Sequence, residues 1–348
     1  MLPEEILVIG RWCGTIPEKG GMVLTPRLKV AIIGLGKVGA TIAFTLLFQG
    51  FADTIFLVSR DEKRAWGEKY DLLHAQAFLN HQTKIVTLPL EEVTESDLII
   101  LTASIPVVNM TSRLELLEGN VTLFKSIIPP LARQNPQAIF IVITNPVDIM
   151  TYLTVKLSGF PSSRVIGTGT LIESGRFRSL IGLYSGIHPG DVHAYLLGEH
   201  GEETFPVFSS AQVGGKKLTR TLPVCRRECP RKTIQEVFEE AKGGGMEVYH
   251  HKGYTNYAIS LACLTLIEAI VKDSGKILPV STLLEGQYGI HGVCLSLPAV
   301  IGREGILKTL DLDLTPEEIQ ALYRAKDKLL AIIRSLGEYE SLGGDIAR

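Results

Sequence analysis

Leu28-Lys29-Val30-Ala31-Ile32-Ile33-Gly34-Leu35-Gly36-Lys37-Val38-Gly39 is the stretch on which the fold turns. Its apolar run, with Val30, Ile32 and Ile33, reads as a buried strand over residues 28–35. Three glycines at fixed offsets then lead into a helical pattern over residues 40–50. Gly34 permits a tight turn, Gly36 lets a backbone approach a pyrophosphate, and Gly39 lets helix and strand pack closely. The helix N-terminus faces the phosphates, with Lys37 and Val38 in the same turn. A strand, then the glycines, then a helix is the setting that a dinucleotide such as NAD or NADP requires.

Downstream, apolar strands are predicted at residues 53–59, 84–88, 97–102 and 138–144, the last closing this half. Between them fall a charged amphipathic helix over 61–79, a loop over 103–112 and a helix over 113–134, bent at Pro129-Pro130. Strands alternating with helices imply a doubly wound parallel sheet with right-handed crossovers. After residues 165–167 the pattern changes. A helix near 171–184 leads to shorter strands and then a helical region over 233–273. Strand pieces near 276–284 and 292–297 follow, and an amphipathic helix over 316–333 has Thr315 as N-cap and Glu318 completing a capping box. The fold class is α/β, a doubly wound parallel sheet followed by an α+β part. Residues 1–27 read as an N-terminal arm or accessory hairpin, 28–168 as the dinucleotide-binding domain and 169–348 as the substrate and catalytic domain. The two halves should pack around one cleft.

The composition of the 348 residues, 45% hydrophobic and 21% charged, is that of an ordinary globular protein. A net charge of −2 lacks the basic excess of a nucleic-acid surface. No apolar run reaches the length of a membrane span. Glu4 and Glu5 stand where an export signal would carry positive charge. The cysteines, Cys13, Cys225, Cys229, Cys263 and Cys294, are odd in number and scattered. Cys225 and Cys229 have no second ligand pair at zinc spacing, so no metal is expected, and the compartment reads as cytoplasmic.

The end of the second strand bears on which nicotinamide is used. An acidic residue normally accepts the ribose hydroxyls of NAD about 20 residues after the glycines. Here Ser59 stands at that point and Arg60 follows. Without the carboxylate a 2′-phosphate meets no repulsion, and a guanidinium could pair with it. Alternatively Arg60 stacks on adenine or lies in solvent, with Asp61 as a displaced ribose acceptor. The first of these favours NADP tolerance.

A second decisive stretch runs from Val192 to Phe208, where an apolar strand carries His200 to its end between Glu199 and Glu202. Imidazole is the side chain whose ordinary pKa suits proton transfer near neutrality. With this piece the chain resembles the lactate/malate dehydrogenase family over residues 28–336, nearer its L-lactate branch. The likeness rests on Gly34 to Gly39, Ser112-Arg113-Leu114-Glu115-Leu116, Thr144-Asn145-Pro146-Val147-Asp148 and Gly167-Thr168-Gly169-Thr170 with Arg176. Gly198-Glu199-His200-Gly201 and Leu297 to Arg303 complete it.

That resemblance implies a Rossmann-type first half, a 2-hydroxy acid or 2-keto acid substrate such as pyruvate, and a homotetramer. By resemblance His200 is the acid/base, and Arg176 takes the substrate carboxylate in two parallel bonds. Arg113 polarises the carbonyl when the 104–112 loop closes. Asn145 holds a substrate oxygen, Thr255 lines the pocket, and Ala103 and Asn145 join the glycine turn in binding the cofactor.

Three departures from the family pattern matter. The carboxylate that orients the histidine is usually Asp, and the matching residue here is Glu173. Its extra methylene keeps the charge but requires either repacking or a shift of His200. The loop residue that sets specificity, usually Gln or Arg, is matched by Val107, which cannot pair a second substrate carboxylate. Gly243-Gly244-Gly245 interrupts a helical region. These glycines either break the helix or, through Gly244 and Gly245, enlarge the pocket for a bulkier 2-keto acid. Arg178 and His193 match positions that bind a sugar bisphosphate effector across a subunit interface in regulated relatives. The rival readings are a malate-type enzyme and a non-catalytic dinucleotide-binding protein on the same fold.

Overall fold

The structure, a computed structural model, describes residues 28–106, 113–218 and 232–336. Its first half runs β1 (Leu28–Ile33), α1 (Lys37–Gln49), β2 (Ala52–Val58), α2 (Glu62–Ala75), β3 (Lys84–Thr87) and β4 (Leu98–Leu101). It continues with α3 (Arg113–Gln134), β5 (Ile139–Val142), α4 (Val147–Ser158) and β6 (Val165–Gly167). The second half opens with α5 (Leu171–Ser185), β7 (Val192–His193), β8 (Leu196–Gly198), β9 (Thr204–Pro206), β10 (Gln212–Val213) and β11 (Lys216–Lys217). Next come α6 (Ile234–Lys252), α7 (Tyr257–Val271), β12 (Lys276–Glu285), β13 (His291–Gly302), β14 (Gly305–Thr309) and α8 (Pro316–Ser335).

The strands order as β3-β2-β1-β4-β5-β6, all parallel, the doubly wound arrangement expected from the alternating pattern. Every residue of β4 and β5 is buried, because helices cover both faces of the sheet. The faces alternate along β1. Val30 and Ile32 pack with α1 and α7, while Ala31 and Ile33 pack with α3 and α4. Beyond β6 the sheet does not end. β12 pairs antiparallel with β6 through Ser281 and Gly167, and β13, β8 and β9 extend it further. One sheet therefore runs through both halves among the described residues. A separate core, with Phe177, Ile181 and Phe238, joins α5 and α6 to the small β11-β10-β7 sheet.

Several expectations need correction. The strand predicted at 138–144 does not close the parallel half, since β6 lies outside it. The pieces near 276–284 and 292–297 are one long hairpin, β12 and β13, whose central residues are continuously buried and so show no alternation. The 61–79 helix ends at Ala75 in a 3-10 turn, and the 233–273 region is two helices parted by Gly253 at φ +82°. The glycine row 243–245 does not break α6, which is helical through all three.

Helix α4 had no counterpart in the sequence reading. Apart from Lys156 and Ser158 its residues are buried, so it presents no polar stripe to betray a period. Its internal hydroxyls are satisfied locally, Thr151 donating to the Val147 carbonyl and Thr154 to that of Met150, both at 2.7 Å. The capping box on α8 forms as expected. The Thr315 hydroxyl accepts from the Glu318 N–H, and the Glu318 carboxylate accepts from the Thr315 N–H.

Phe140 of β5 has no solvent exposure and packs against the Phe160 ring at 5.4 Å. Phe140→Ala should lower unfolding stability by about 3–5 kcal/mol through lost burial and a cavity, read from urea denaturation. A loss under about 1 kcal/mol would mean that this core collapses around the gap.

Candidate active site

The glycine turn is built as its spacing requires. Gly34 adopts φ +104°, and a Cβ there would lie 2.6 Å from the Ala103 backbone. A Cβ on Gly39 would stand 2.0 Å from the Gly34 carbonyl oxygen, which fixes how closely α1 approaches β1. Gly36, by contrast, faces open space. It is also the N-cap of α1, with no side-chain cap and no acid in the first turn. The first N–H groups of the helix are thus left for an anion, and the cradle fits a pyrophosphate. Lys37 places its ammonium 5.2 Å over the Tyr254 ring, and Asn256 donates to the Thr41 hydroxyl at 2.8 Å. These contacts bring the turn that carries Thr255, half-buried, against the glycine loop.

At the end of β2 the Ser59 hydroxyl accepts the Asp61 N–H at 3.1 Å, and Asp61 in turn accepts from the Arg64 N–H at 3.0 Å. Asp61 is therefore the N-cap of α2, which accounts for its carboxylate, while Arg60 is exposed beside it.

Helix α5 supplies both charged groups on one face. Glu173 and Arg176 are three residues apart, and Arg176 Nη1 donates to Glu173 Oε1 at 3.0 Å. The other carboxylate oxygen, Oε2, lies 3.0 Å from His200 Nδ1. Glu173 is 6% exposed, whereas the His200 side chain keeps 24% of its surface open. Glu173 thus spans the imidazole and the guanidinium with its two oxygens. His200 reaches this point because β8 ends at Gly198, where φ is +90°. Its own backbone N–H donates to Asp148 Oδ2 at 2.7 Å.

Electrostatics follow from these distances. Burial alone would pull the His200 pKa down, but the charge and hydrogen bond of Glu173, with help from Asp148, hold it raised at about 9. Burial pushes Glu173 upward, and this is outweighed by His200 and Arg176, so its carboxyl sits below the ordinary value. Asp148 goes the other way. Burial raises it to about 6 despite hydrogen bonds from Ser281 and His200. The cluster therefore holds an imidazolium and a carboxylate at neutral pH, an acid ready to donate beside a cation able to clamp a carboxylate.

Gly244 and Gly245 of α6 face this cluster. A Cβ on Gly245 would come within 3.1 Å of Arg176 Nη1, and one on Gly244 within 3.6 Å of Arg176 Cδ. Asn145 is exposed at the end of β5, and its carbonyl accepts from the Asn120 amide at 2.8 Å. Asn120 also accepts the Ile105 N–H, which ties the start of the 104–112 loop to the Asn145 turn. Val107 and the Arg113 side chain lie outside the described residues. Arg178 is two residues beyond Arg176 on α5 and so points elsewhere. Its Nε is buried without a hydrogen-bond partner among the described residues, and His193 is exposed on β7.

Sequence reasoning missed three contributors, Asp148, Asn120 and Lys328. Asp148 carried a signal, an acid in an otherwise apolar run. Lys328 carried none. From α8 its ammonium bonds Glu199 at 2.9 Å and steadies the loop that bears His200. Among the described residues no group of three acidic, His or Cys side chains could hold a metal. None of the described helices is long and apolar enough to cross a membrane.

Comparison with known proteins places these features in a family. Residues 28–167 match the model described as lactate/malate dehydrogenase, NAD binding domain, and residues 170–339 its alpha/beta C-terminal domain. The chain is 38% identical to the L-lactate dehydrogenase of Thermoanaerobacter sp. (strain X514) over 308 residues, 88% of this chain and 99% of that one. It is 39% identical to the L-lactate dehydrogenase B-B chain of Danio rerio over 92% of this chain and 96% of that one. Among solved structures it resembles the minor L-lactate dehydrogenase from Enterococcus mundtii in its ligands-bound form. The TM-score is 0.84 at 32% identity, covering 89% of this chain and 98% of that one.

A pH test follows from the Glu173 pair. His200 binds its proton more tightly folded than unfolded. Its contribution to stability is therefore complete below about pH 6.5 and is lost as pH rises through the folded value of about 9. NMR titration of the His200 imidazole should give a midpoint near 9. Glu173→Gln should bring it down by more than about one unit. A wild-type midpoint at the ordinary histidine value would refute the pairing.

Proposed function

The chain belongs to the lactate/malate dehydrogenase family, and from that premise we propose that it reduces pyruvate-like 2-keto acids, and oxidises the matching L-2-hydroxy acids, in the cytoplasm. It is an L-lactate dehydrogenase-type oxidoreductase with an NAD-binding domain. The observation that carries the reading is the shared carboxylate of Glu173, which sets an imidazolium and a guanidinium side by side.

Bound NAD would lie along Gly34, Gly36 and Gly39 and exchange a hydride with the substrate C2. The protein's own groups do the rest. Arg176 holds the substrate carboxylate through its fork, fixing the orientation of C2. With Nδ1–H directed at Glu173, His200 presents Nε2–H to the substrate carbonyl oxygen and gives up that proton as the hydroxyl forms. In the reverse direction it takes the proton back. Asn145 binds the same oxygen, and Arg113 polarises it when the loop closes and water leaves. Thr255 forms a wall of the pocket.

Val107 supports an apolar substrate tail, since an aliphatic side chain cannot pair the second carboxylate of oxaloacetate. This argues against the malate-type reading, and the assembled His200, Glu173 and Arg176 argue against a non-catalytic one. Gly244 and Gly245 support a bulkier 2-keto acid in that neither places a side chain beside Arg176. Ser59 and exposed Arg60, with Asp61 engaged as a cap, support NADP tolerance. The buried Nε of Arg178, without a hydrogen-bond partner among the described residues, supports an anionic effector such as a sugar bisphosphate, with His193 as its second ligand. Exposed Phe44, Phe48, Trp66, Tyr70, Tyr257 and Leu261 on α1, α2 and α7 support self-association, and we take the assembly to be a homotetramer. The domain division we propose is 28–168 and 169–348.

Initial rates for a panel of 2-keto acids with NADH and NADPH, with and without a sugar bisphosphate, test the assignment. Pyruvate or a bulkier apolar homologue should outrun oxaloacetate by about tenfold or more in kcat/KM. An NADH preference above about tenfold (some 1.4 kcal/mol) removes the Arg60 argument. His200→Asn should reduce kcat about 10²–10⁴-fold, and unchanged turnover would defeat the mechanism.

Gly245→Ala separates helix stability from site geometry. The new Cβ, 3.1 Å from the guanidinium, must displace it. KM for the 2-keto acid should rise about five- to tenfold while the helix gains about 1 kcal/mol. A lower KM would show that the glycine has no part in seating Arg176.

A further inference from the structure

Asp148 is buried, 3% exposed, and the proton-transfer scheme above gives it no part. It stands in the first turn of α4, three residues after Asn145. Its Oδ2 accepts the backbone N–H of His200 at 2.7 Å, and its Oδ1 accepts the Ser281 hydroxyl of β12 at 2.6 Å. One carboxylate therefore joins the turn after β5, the loop after β8 and the hairpin strand that continues the parallel sheet. Asn145 and His200 must act on the same substrate oxygen, and they come from different halves of the chain.

We infer that Asp148 is a positioning residue, pinning the His200 main chain to the Asn145 turn and presenting a second fixed negative charge to the imidazole. The inference rests on the proposed proton transfer for its consequence, but the charge and the tether stand on geometry. The charged and titratable groups facing Asp148 are His200 and Glu199 from the loop after β8 and Cys294 from β13, whose thiol burial pushes well up. Of these only His200 offers a positive charge, so the field of Asp148 acts mainly on the imidazole.

Two variants separate the tether from the charge. In Asp148→Asn the amide oxygen can still accept the His200 N–H and the amide nitrogen can donate to Ser281 Oγ, so geometry survives and charge is lost. In Asp148→Ala both go. The first measurement is NMR titration of His200 in the protein without cofactor or substrate, which needs no assumed reaction. Both variants should titrate lower than wild type by about half a unit or more. The second is the pH profile of 2-keto acid reduction. There Asp148→Ala should lose about tenfold or more in kcat, with KM changed less than about threefold. Asp148→Asn should keep its plateau rate within about threefold and lose activity at lower alkaline pH.

An unmoved His200 midpoint in both variants, or an unchanged kcat in Asp148→Ala, overturns the inference. If Asp148→Ala does not fold, the midpoint of Asp148→Asn decides. If no 2-keto acid is reduced the proposed function fails, yet the titration still judges the role of Asp148.

Discussion

One buried carboxylate balances two cations, and the site depends on that balance. Glu173 has little contact with water, so its charge persists only because His200 and Arg176 each hold one of its oxygens at 3.0 Å. It also lies in the first turn of α5, where the macrodipole favours a negative charge. Leaving a buried charge without its partner costs about 3–5 kcal/mol, so none of the three is free to change alone. A shorter carboxylate on the same backbone would have reach for fewer of these contacts. The glutamate here holds the histidine and the Arg176 guanidinium together.

The balance must be held in place, and the sheet does this. β8 delivers the His200 loop and pairs with β13, which pairs with β12, which pairs with β6 at the edge of the parallel order. The loop is then secured from three helices. Asp148 of α4 takes the His200 N–H, Lys328 of α8 holds Glu199, and Lys242 of α6 donates to the Glu202 carbonyl at 2.6 Å. Thr204 closes the loop on itself by donating to the Glu199 carbonyl. If His200 transfers a proton as proposed, these ties matter, because misplacement by about 1 Å is expensive for such a step.

What could be read in the sequence divides along physical lines. Gly34 and Gly39 were legible because each answers a backbone demand that only glycine meets there, as the clashes of added Cβ atoms make plain, whereas Gly36 was read with them from the fixed spacing and faces open space. The capping box of Thr315 and Glu318 was legible because both its partners are local. Helix α4 and the β12–β13 hairpin were not, since burial on all sides erases the period that a half-exposed element shows. The roles of His200, Glu173 and Arg176 came from resemblance, and their distances could not. That Glu173 reaches Arg176 as well as His200 depends on side-chain length and helix register together. Asp148 was visible as an acid in an apolar run, but its partner is 52 residues away and no spacing rule connects them.

The glycine row in α6 is the clearest case of local propensity yielding to the site. Three glycines in a helix interior cost about 1 kcal/mol each relative to alanine, and on that ground alone the helix should fail there. It does not, because its ends are unusually well fixed. Thr233 and Glu236 form a capping box, and Gly253 closes the other end in the left-handed region with its N–H on the Tyr249 carbonyl. Ile234, Val237, Phe238 and Ala241 are buried before the row begins, which anchors the N-terminal turns against α5. The helix can thus tolerate a weak centre. That weak centre is where the Arg176 side chain lies, within 3.6 Å of where a Cβ would project from Gly244 or Gly245. A helix former at either position would strengthen α6 and crowd the Arg176 side chain. The glycines stand where the Arg176 side chain needs room, and the helix's stability is concentrated at its two ends.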